Sequence, residues 1–136
     1  MMNNERLEAF LQEAHLLDLA TITPEGFPHV TPVWYLWDGE HFLISTTRTR
    51  KKARNLAKNP KAGFSIAPEE LSYKAVVGYG TVDMEPDADG DLMRQLCFRY
   101  LPENKAENYF ESMVEESGST RIKITLTPSW MTSWEG

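Results

Sequence analysis

Residues 45–60, STTRTRKKARNLAKNP, join a β-strand pattern to a short helix and concentrate positive charge at the junction. They follow Glu40-His41-Phe42-Leu43-Ile44, which has a strand pattern, and lead into a helix that ends at Asn59-Pro60. Hydroxyls and the free N–H groups at a helix start bind anions, which Arg and Lys neutralise. The stretch therefore predicts an anion site, for which a phosphorylated cofactor is the natural ligand.

Outside this stretch the chain is acidic, with a formal net charge of −6 over 136 residues. An acidic balance argues against general nucleic-acid binding, which usually leaves a basic surface. The length predicts one domain over residues 1–136 that can bury a core without disulfides. Cys97 is the only cysteine and no apolar run approaches about 18 residues, so we expect a cytoplasmic protein without a membrane span.

The residues before the basic stretch predict a helix and two strands. Apolar residues at helical spacing predict a helix over residues 4–14, and β-formers predict a strand over 18–23. A Pro/Gly turn then leads to a long aromatic strand over 29–37, in which Pro32 indicates an edge or a bulge. Asp38-Gly39 predicts a hairpin into the strand that precedes the basic stretch.

The residues after the basic helix predict three more strands and a helical segment. Strands are expected over 62–66, 73–84 and 121–127, the last ended by Pro128, and helices over 87–117 with a break near Pro102. Gly78 and Gly80 share one strand face, which indicates a bend or a close approach of another group. The pattern predicts a mainly β fold, a six-stranded antiparallel barrel with flanking helices.

Four segments resemble the pyridoxamine 5′-phosphate oxidase-like flavin split-barrel family. They are LATITPEGFP (19–28), VTPVWY (30–35), STT (45–47) followed by RKKARNL (50–56) and NP (59–60), and GYGTV (78–82). Together with the strand that begins at Arg121, their order and spacing extend over nearly the whole chain. The resemblance implies a six-stranded split barrel that forms a homodimer with two cofactor sites at the subunit interface.

The resemblance also implies which residues bind the cofactor, flavin mononucleotide (FMN) or, alternatively, the deazaflavin coenzyme F-420. Its phosphate is expected on Arg50 and Lys52, with Lys51 as a further candidate and Arg54 as a weaker one. The strand beside the ring system consists of Val30, Thr31, Pro32, Val33, Trp34 and Tyr35. Ser45, Thr46 and Thr47 are expected to contact the ring or the ribityl chain. We expect Trp130 and Trp134 of the partner subunit to close the pocket.

One departure from the family pattern concerns the activity. True pyridoxamine-phosphate oxidases are longer and carry a C-terminal substrate-phosphate motif with Arg and His, whereas neither residue type follows Arg121 here. The chain is therefore closer to the short flavin or deazaflavin reductase branch. We expect an oxidoreductase that transfers a hydride to or from a small substrate, and the sequence assigns no catalytic residue because the chemistry belongs to the cofactor.

Other interpretations remain open at the level of sequence. The protein could be a non-catalytic module that binds flavin or haem, or a structural dimer whose cations only solvate a helix. The aromatic residues of 34–37 could be core or interface, and the two late tryptophans could pack on their own barrel. His15, His29 and His41 fit no zinc spacing, so we expect no metal site.

Overall fold

The computed structural model describes residues 1–70 and 73–135, in which one antiparallel sheet of seven strands is accompanied by four α-helices. The helices are α1 (Asn4–Gln12), α2 (Lys51–Lys58), α3 (Asp91–Tyr100) and α4 (Glu103–Ser117). The strands are β1 (Leu17–Ile22), β2 (Pro28–Val33), β3 (Leu36–Trp37), β4 (Phe42–Thr47), β5 (Lys61–Ile66), β6 (Lys74–Pro86) and β7 (Arg121–Glu135). The expected mainly β fold with flanking helices is confirmed.

The sheet curls into a split barrel because its two end strands are neighbours in the chain. The strand order is β2-β1-β5-β6-β7-β4-β3, so β2 and β3 lie at opposite ends although only Trp34 and Tyr35 separate them in sequence. The sheet must bend until these ends meet. The predicted strand 29–37 is thus two strands, which makes seven strands where six were expected.

A helix side chain causes the break between β2 and β3. The Tyr35 backbone N–H donates to the Tyr100 hydroxyl at 3.1 Å, and that hydroxyl donates to the His15 carbonyl at 2.6 Å. Trp34 stacks on the Tyr100 ring with 4.9 Å between ring centroids. The chain at this point is therefore bonded to α3 and not to a sheet neighbour.

The barrel core follows the alternation of the strands, and one helix closes each end. Phe10 and Leu11 of α1 are buried at the end where β1 begins, and Leu56 of α2 is buried at the other. There the Asn55 side-chain amide donates to the buried Thr21 hydroxyl of β1 at 3.1 Å. The largest fully buried side chains include Tyr35, Phe42, Leu17, Leu19, Ile44, Ile66, Ile124 and Leu126.

Strand β7 is longer than the sequence indicated. The prediction that Pro128 ends it is wrong, because pairing with β6 continues to Glu135 beyond an irregularity at Tyr79/Gly80. There Tyr79 pairs with Trp130 and Gly80 pairs with Pro128, which leaves Ser129 as the extra residue of a bulge. The bulge lets a proline lie within a paired strand.

The two glycines of β6 allow β7 to approach closely, as their spacing indicated. A Cβ atom at Gly78 would overlap the Trp130 carbonyl oxygen, and one at Gly80 would overlap the Thr127 carbonyl oxygen. Within the described parts of the chain, no helix is both long enough and apolar enough to cross a bilayer.

Candidate functional site

The split of the barrel leaves two strand edges unpaired. Among the described residues, strand β2 pairs only with β1, and β4 pairs with β3 only through Phe42 and Leu43. Ile44–Thr47 therefore present one free edge and Pro28–Val33 the other, diverging from the turn at Trp34 and Tyr35. The two segments expected to contact the cofactor thus form the two edges of this split.

Helix α2 begins at the end of the β4 edge with charges that oppose its dipole. Arg50 is the N-cap residue, no side chain caps the helix, and its first turn contains no acidic residue. Lys51 and Lys52 instead place positive charge where the helix dipole favours negative charge. By contrast, Asn3 caps α1 by accepting from the Arg6 N–H at 2.8 Å, with Glu5 in the first turn.

The cations of this region have no acidic partner in the part of the chain that the structure describes. Among residues 1–70 and 73–135, the ion pairs within 4.0 Å involve Arg6, His15, His41, Arg94 and Lys123, and none involves a cation of 48–58. Lys52 is half-buried, and burial followed by the charges of Arg50 and Arg121 lowers the pKa of its ammonium. Lys52 and its neighbouring cations therefore repel one another in an environment that is partly shielded from solvent.

Arg121 of β7 is the residue that sequence reasoning missed. Its neighbour across the sheet is Thr47, and its Nη2 donates to the Ser45 Oγ at 2.9 Å. Nη1 donates to the Ser117 Oγ at 3.3 Å. Burial, and after it the charge of Arg50, lowers the pKa of the Arg121 guanidinium. A lone arginine at a strand start gives no local signal, because only the pairing of β7 with β4 brings it to the junction.

The side chains of the 30–35 segment divide between the two faces of the sheet. Val30 and Pro32 are exposed on the outer face, whereas Val33 and Tyr35 are buried in the barrel. Thr31 also faces inward, and its Oγ1 is buried without a partner. A cofactor in the split could therefore reach the outward side chains and the free backbone, but not the Val33 and Tyr35 side chains.

Trp34 and the hydroxyl residues of β4 differ in how accessible they are. Trp34 is half-buried, with Tyr100 on one face and the Tyr109 ring at 6.0 Å between centroids. Ser45 is half-buried, whereas Thr46 and Thr47 are only 6% and 5% exposed. Ser45 is therefore the most accessible of the three, and its hydroxyl contacts Arg121.

Trp130 and Trp134 lie on the outer face of the sheet, away from the cations of their own chain. Trp130 is 48% exposed and stacks on Tyr79 at 5.3 Å, and Trp134 is 37% exposed and stacks on Tyr73 at 6.0 Å. Trp130 lies nine positions after Arg121 along β7, a span of about 30 Å at strand rise. The structure does not bring the two tryptophans to the site of the same subunit.

The arrangement suits a phosphorylated cofactor. The Arg121 Nε is buried without a hydrogen-bond partner, and uncompensated cations surround the start of an uncapped helix. A phosphate supplies the missing negative charge and acceptor oxygens. Among the described residues, no group of three or more His, Cys, Asp or Glu side chains is placed to hold a metal ion.

Comparison with known proteins agrees with the fold. A family model described as pyridoxamine 5′-phosphate oxidase matches residues 4–132. The chain belongs to the pyridoxamine 5′-phosphate oxidase family. A member of this family, the pyridoxine/pyridoxamine 5′-phosphate oxidase of Bacteroides thetaiotaomicron, is 26% identical over 97 residues, which are 70% of this chain and 45% of that protein. The chain thus spans less than half the length of that relative.

Solved structures with a similar fold include proteins with different names. An F-420 reductase is 29% identical, with a TM-score of 0.73, 92% of this chain covered and 94% of that one. The haem storage protein HutZ of Vibrio cholerae is 20% identical, with a TM-score of 0.68, 98% of this chain covered and 94% of that one. The second likeness shows a shared fold.

Proposed function

We propose that the protein is an oxidoreductase that binds FMN, or alternatively coenzyme F-420, with the cofactor phosphate held by Arg50 and Lys52. The observation that carries this proposal is the cluster of cations at the β4–α2 junction, which no carboxylate of the described chain pairs within 4.0 Å. Charge runs on helices are usually solvated, but here Lys52 is half-buried and the cations lie at the unfavourable end of the helix dipole.

The residues of the chain bind and orient the cofactor. Arg50 and Lys52 neutralise the phosphate, and the uncapped N–H groups of α2 donate to it. Ser45 and the unpaired edges of β2 and β4 offer hydrogen bonds to the rest of the cofactor. A bound flavin or deazaflavin supplies hydride transfer to or from a small substrate.

The pocket is completed in this proposal by a second copy of the chain. The outer sheet face exposes Val30, Tyr79, Trp130 and Trp134, and aromatic residues are enriched in protein interfaces. Because about 30 Å of strand separates Trp130 from Arg121, these tryptophans can close a site only across a dimer. In this proposal a homodimer therefore both buries the aromatic face and closes the pocket.

Cofactor titration tests the proposal. Calorimetric titration of the purified protein with FMN and with F-420 identifies the cofactor, and the double variant Arg50→Ala/Lys52→Ala tests where the phosphate binds. We expect the double variant to lose about 2–5 kcal/mol of binding free energy, because charge-assisted hydrogen bonds contribute about 1.5–3 kcal/mol each. Lys58→Ala, at the other end of α2, is the matched control. Equal affinity of the double variant and the wild type would refute the assignment.

A turnover assay separates an enzyme from a binding module. The absorption band of the bound cofactor should bleach under a reductant and return when an electron acceptor is added and consumed. A cofactor that binds but does not cycle between its redox states with any acceptor would favour the storage or sensing module.

A further inference from the structure

The buried guanidinium of Arg121 adds a third positive charge to those of Arg50 and Lys52. The site thus carries more positive charge than a ligand with one negative charge would neutralise. Arg121 is only 5% exposed, and its guanidinium contacts Met93 of α3 and Ser117 at the end of α4. Its hydrogen bonds to oxygen go to two neutral serine hydroxyls, and Nε has none. A buried charge of this kind is costly unless a counter-charge is bound.

The bond between Arg121 and Ser45 also determines what Ser45 can do. Because the Ser45 Oγ accepts from the Arg121 Nη2 at 2.9 Å, its own O–H proton remains available to donate elsewhere. No other hydrogen bond of this hydroxyl occurs in the described part of the chain. Ser45 is thus oriented as a neutral donor beside the charged groups.

The number of positive charges at the proposed phosphate site determines whether a singly or a doubly charged phosphate group binds better. Arg121 pairs across the sheet with Thr47, whose carbonyl accepts from the Arg50 N–H at 3.2 Å, and Lys52 follows in the first turn of α2, so three positive charges lie close to one another. A phosphodiester carries one negative charge, whereas a phosphate monoester carries nearly two above its second pKa, about 6. A third cation therefore favours a monoester dianion.

We propose that Arg121 makes this site selective for the dianion of a phosphate monoester and orients the Ser45 hydroxyl to donate to it. This inference rests on the proposed function and narrows its cofactor to one that ends in a monoester, as FMN does. Arg121 is a positioning and charge-supplying residue in this view, and it takes no part in hydride transfer.

Among the described side chains that act on Arg121, none competes with the phosphate as the source of a pH effect near neutral pH. The titratable and charged groups whose fields reach it come from α2, the turn after β6, α3 and α4, and none is a histidine, the side chain that ordinarily titrates in this range. They are Arg50, Lys52, Asp87, Cys97 and Tyr109.

Inorganic phosphate is the first probe, because it tests the anion site without a flavin. Thermal stabilisation by phosphate, relative to chloride at equal ionic strength, is measured between about pH 5.5 and pH 8.5, a range that spans the second pKa of inorganic phosphate, about one unit above that of a phosphate monoester. We expect the wild type to bind phosphate more tightly at the higher pH. Arg121→Gln should weaken binding by at least about tenfold and flatten the pH dependence. Lys58→Gln, which removes the same charge, should change neither.

A second variant keeps the test decisive if Arg121→Gln does not fold. Arg121→Lys keeps the charge but loses the paired donors to Ser45 and Ser117, so we expect a retained pH dependence and a weaker affinity. Unchanged affinity of Arg121→Lys would overturn the inference, and so would loss of its pH dependence. A wild type without phosphate-dependent stabilisation would overturn it as well.

The ratio of FMN affinity to riboflavin affinity then separates the inference from the proposed function. Arg121→Gln should lower this ratio by at least about tenfold, since only FMN carries the phosphate. Equal loss of both ligands would show a merely structural role and overturn the inference. A wild type that binds phosphate with the expected pH dependence, but binds neither flavin nor F-420, would refute the proposed function and leave the phosphate selectivity standing.

Discussion

Gly80 shows how one residue type determines the approach of two strands. Its missing side chain gives room to the Thr127 carbonyl and to Pro128, where β7 bulges. Gly63, on the neighbouring strand β5, has ordinary space instead, because a Cβ there would lie 3.7 Å from the Gly78 carbonyl oxygen and 3.8 Å from the Ala20 Cβ. The two glycines form a matched pair for substitution.

Gly80→Ala is expected to destabilise the protein by about 3 kcal/mol, the upper range for overpacking, because the methyl group would push β7 away from β6. Gly63→Ala should change the free energy of unfolding by less than about 1 kcal/mol. Urea unfolding of both variants measures the difference. Equal effects of the two substitutions would show that the backbone of β7 adjusts freely at the bulge.

Side-chain alternation could be read from the sequence, whereas Arg121 could not. The alternation of a strand places Val33, Tyr35 and Trp37 on one face and Trp34 on the other, and in the structure the first three lie in the core. A period of two is a local property of a strand. The role of Arg121 depends on its pairing with Thr47, 74 residues earlier in sequence, and no local pattern encodes such a pair.

Among the elements, α2 has a sequence that opposes its own dipole. Its first turn has cations and no acidic residue, although Lys58 at the other end agrees with the dipole. Such an unfavourable charge at a helix start is expected where the charge improves anion binding by more free energy than it removes from the stability of the ligand-free protein.

Lys51→Glu tests this exchange of stability for affinity. We expect the ligand-free variant to be more stable by about 0.3–1 kcal/mol, because Lys51 is exposed at the first helical position, and to bind FMN more weakly by about 1 kcal/mol. Thermal unfolding and calorimetric titration measure the two quantities. Lys58→Glu should lower stability and leave FMN affinity unchanged. A less stable Lys51→Glu protein would contradict the dipole explanation.

Most elements of the sheet were predictable because their signals are local, and the two exceptions have tertiary causes. The aromatic strand 29–37 breaks because the Tyr100 hydroxyl bonds to Tyr35, which lies 65 residues away in sequence. Strand β7 passes through Pro128 because the bulge places that residue where no ladder N–H is needed. Neither the hydroxyl nor the bulge has a signature within the affected strand.

At the scale of the whole molecule, helices cover one side of the outer surface of the curled sheet. The other side, the bare face, exposes aromatic side chains. Helices α3 and α4 pack beside β4 and the split, while the stacked pair of Tyr79 and Trp130 faces outward from β6 and β7. The closure of the barrel itself follows from the strand order. The resemblance to the split-barrel family predicted this closure, whereas no single segment of the sequence encodes it.

Trp130→Arg is expected to yield a monomer and, at the same time, to weaken FMN binding by at least about tenfold. Central aromatic residues of interfaces often contribute 2 kcal/mol or more, and the proposed pocket needs the second subunit. Sedimentation equilibrium and titration of the same sample measure both effects. Phe98→Arg alters a side chain of α3 that is 40% exposed and should affect neither. A monomeric Trp130→Arg protein that binds FMN normally would place the whole site within one chain.

The placement of the four tryptophans has an optical consequence. Trp37 is 5% exposed and Trp34 is half-buried against tyrosines, whereas Trp130 and Trp134 stand on the bare face. Intrinsic fluorescence should therefore contain two populations, of which iodide quenches only the outer one in a dilute, dissociated sample. Raising the protein concentration should shield that outer population, so emission alone would report assembly without any label.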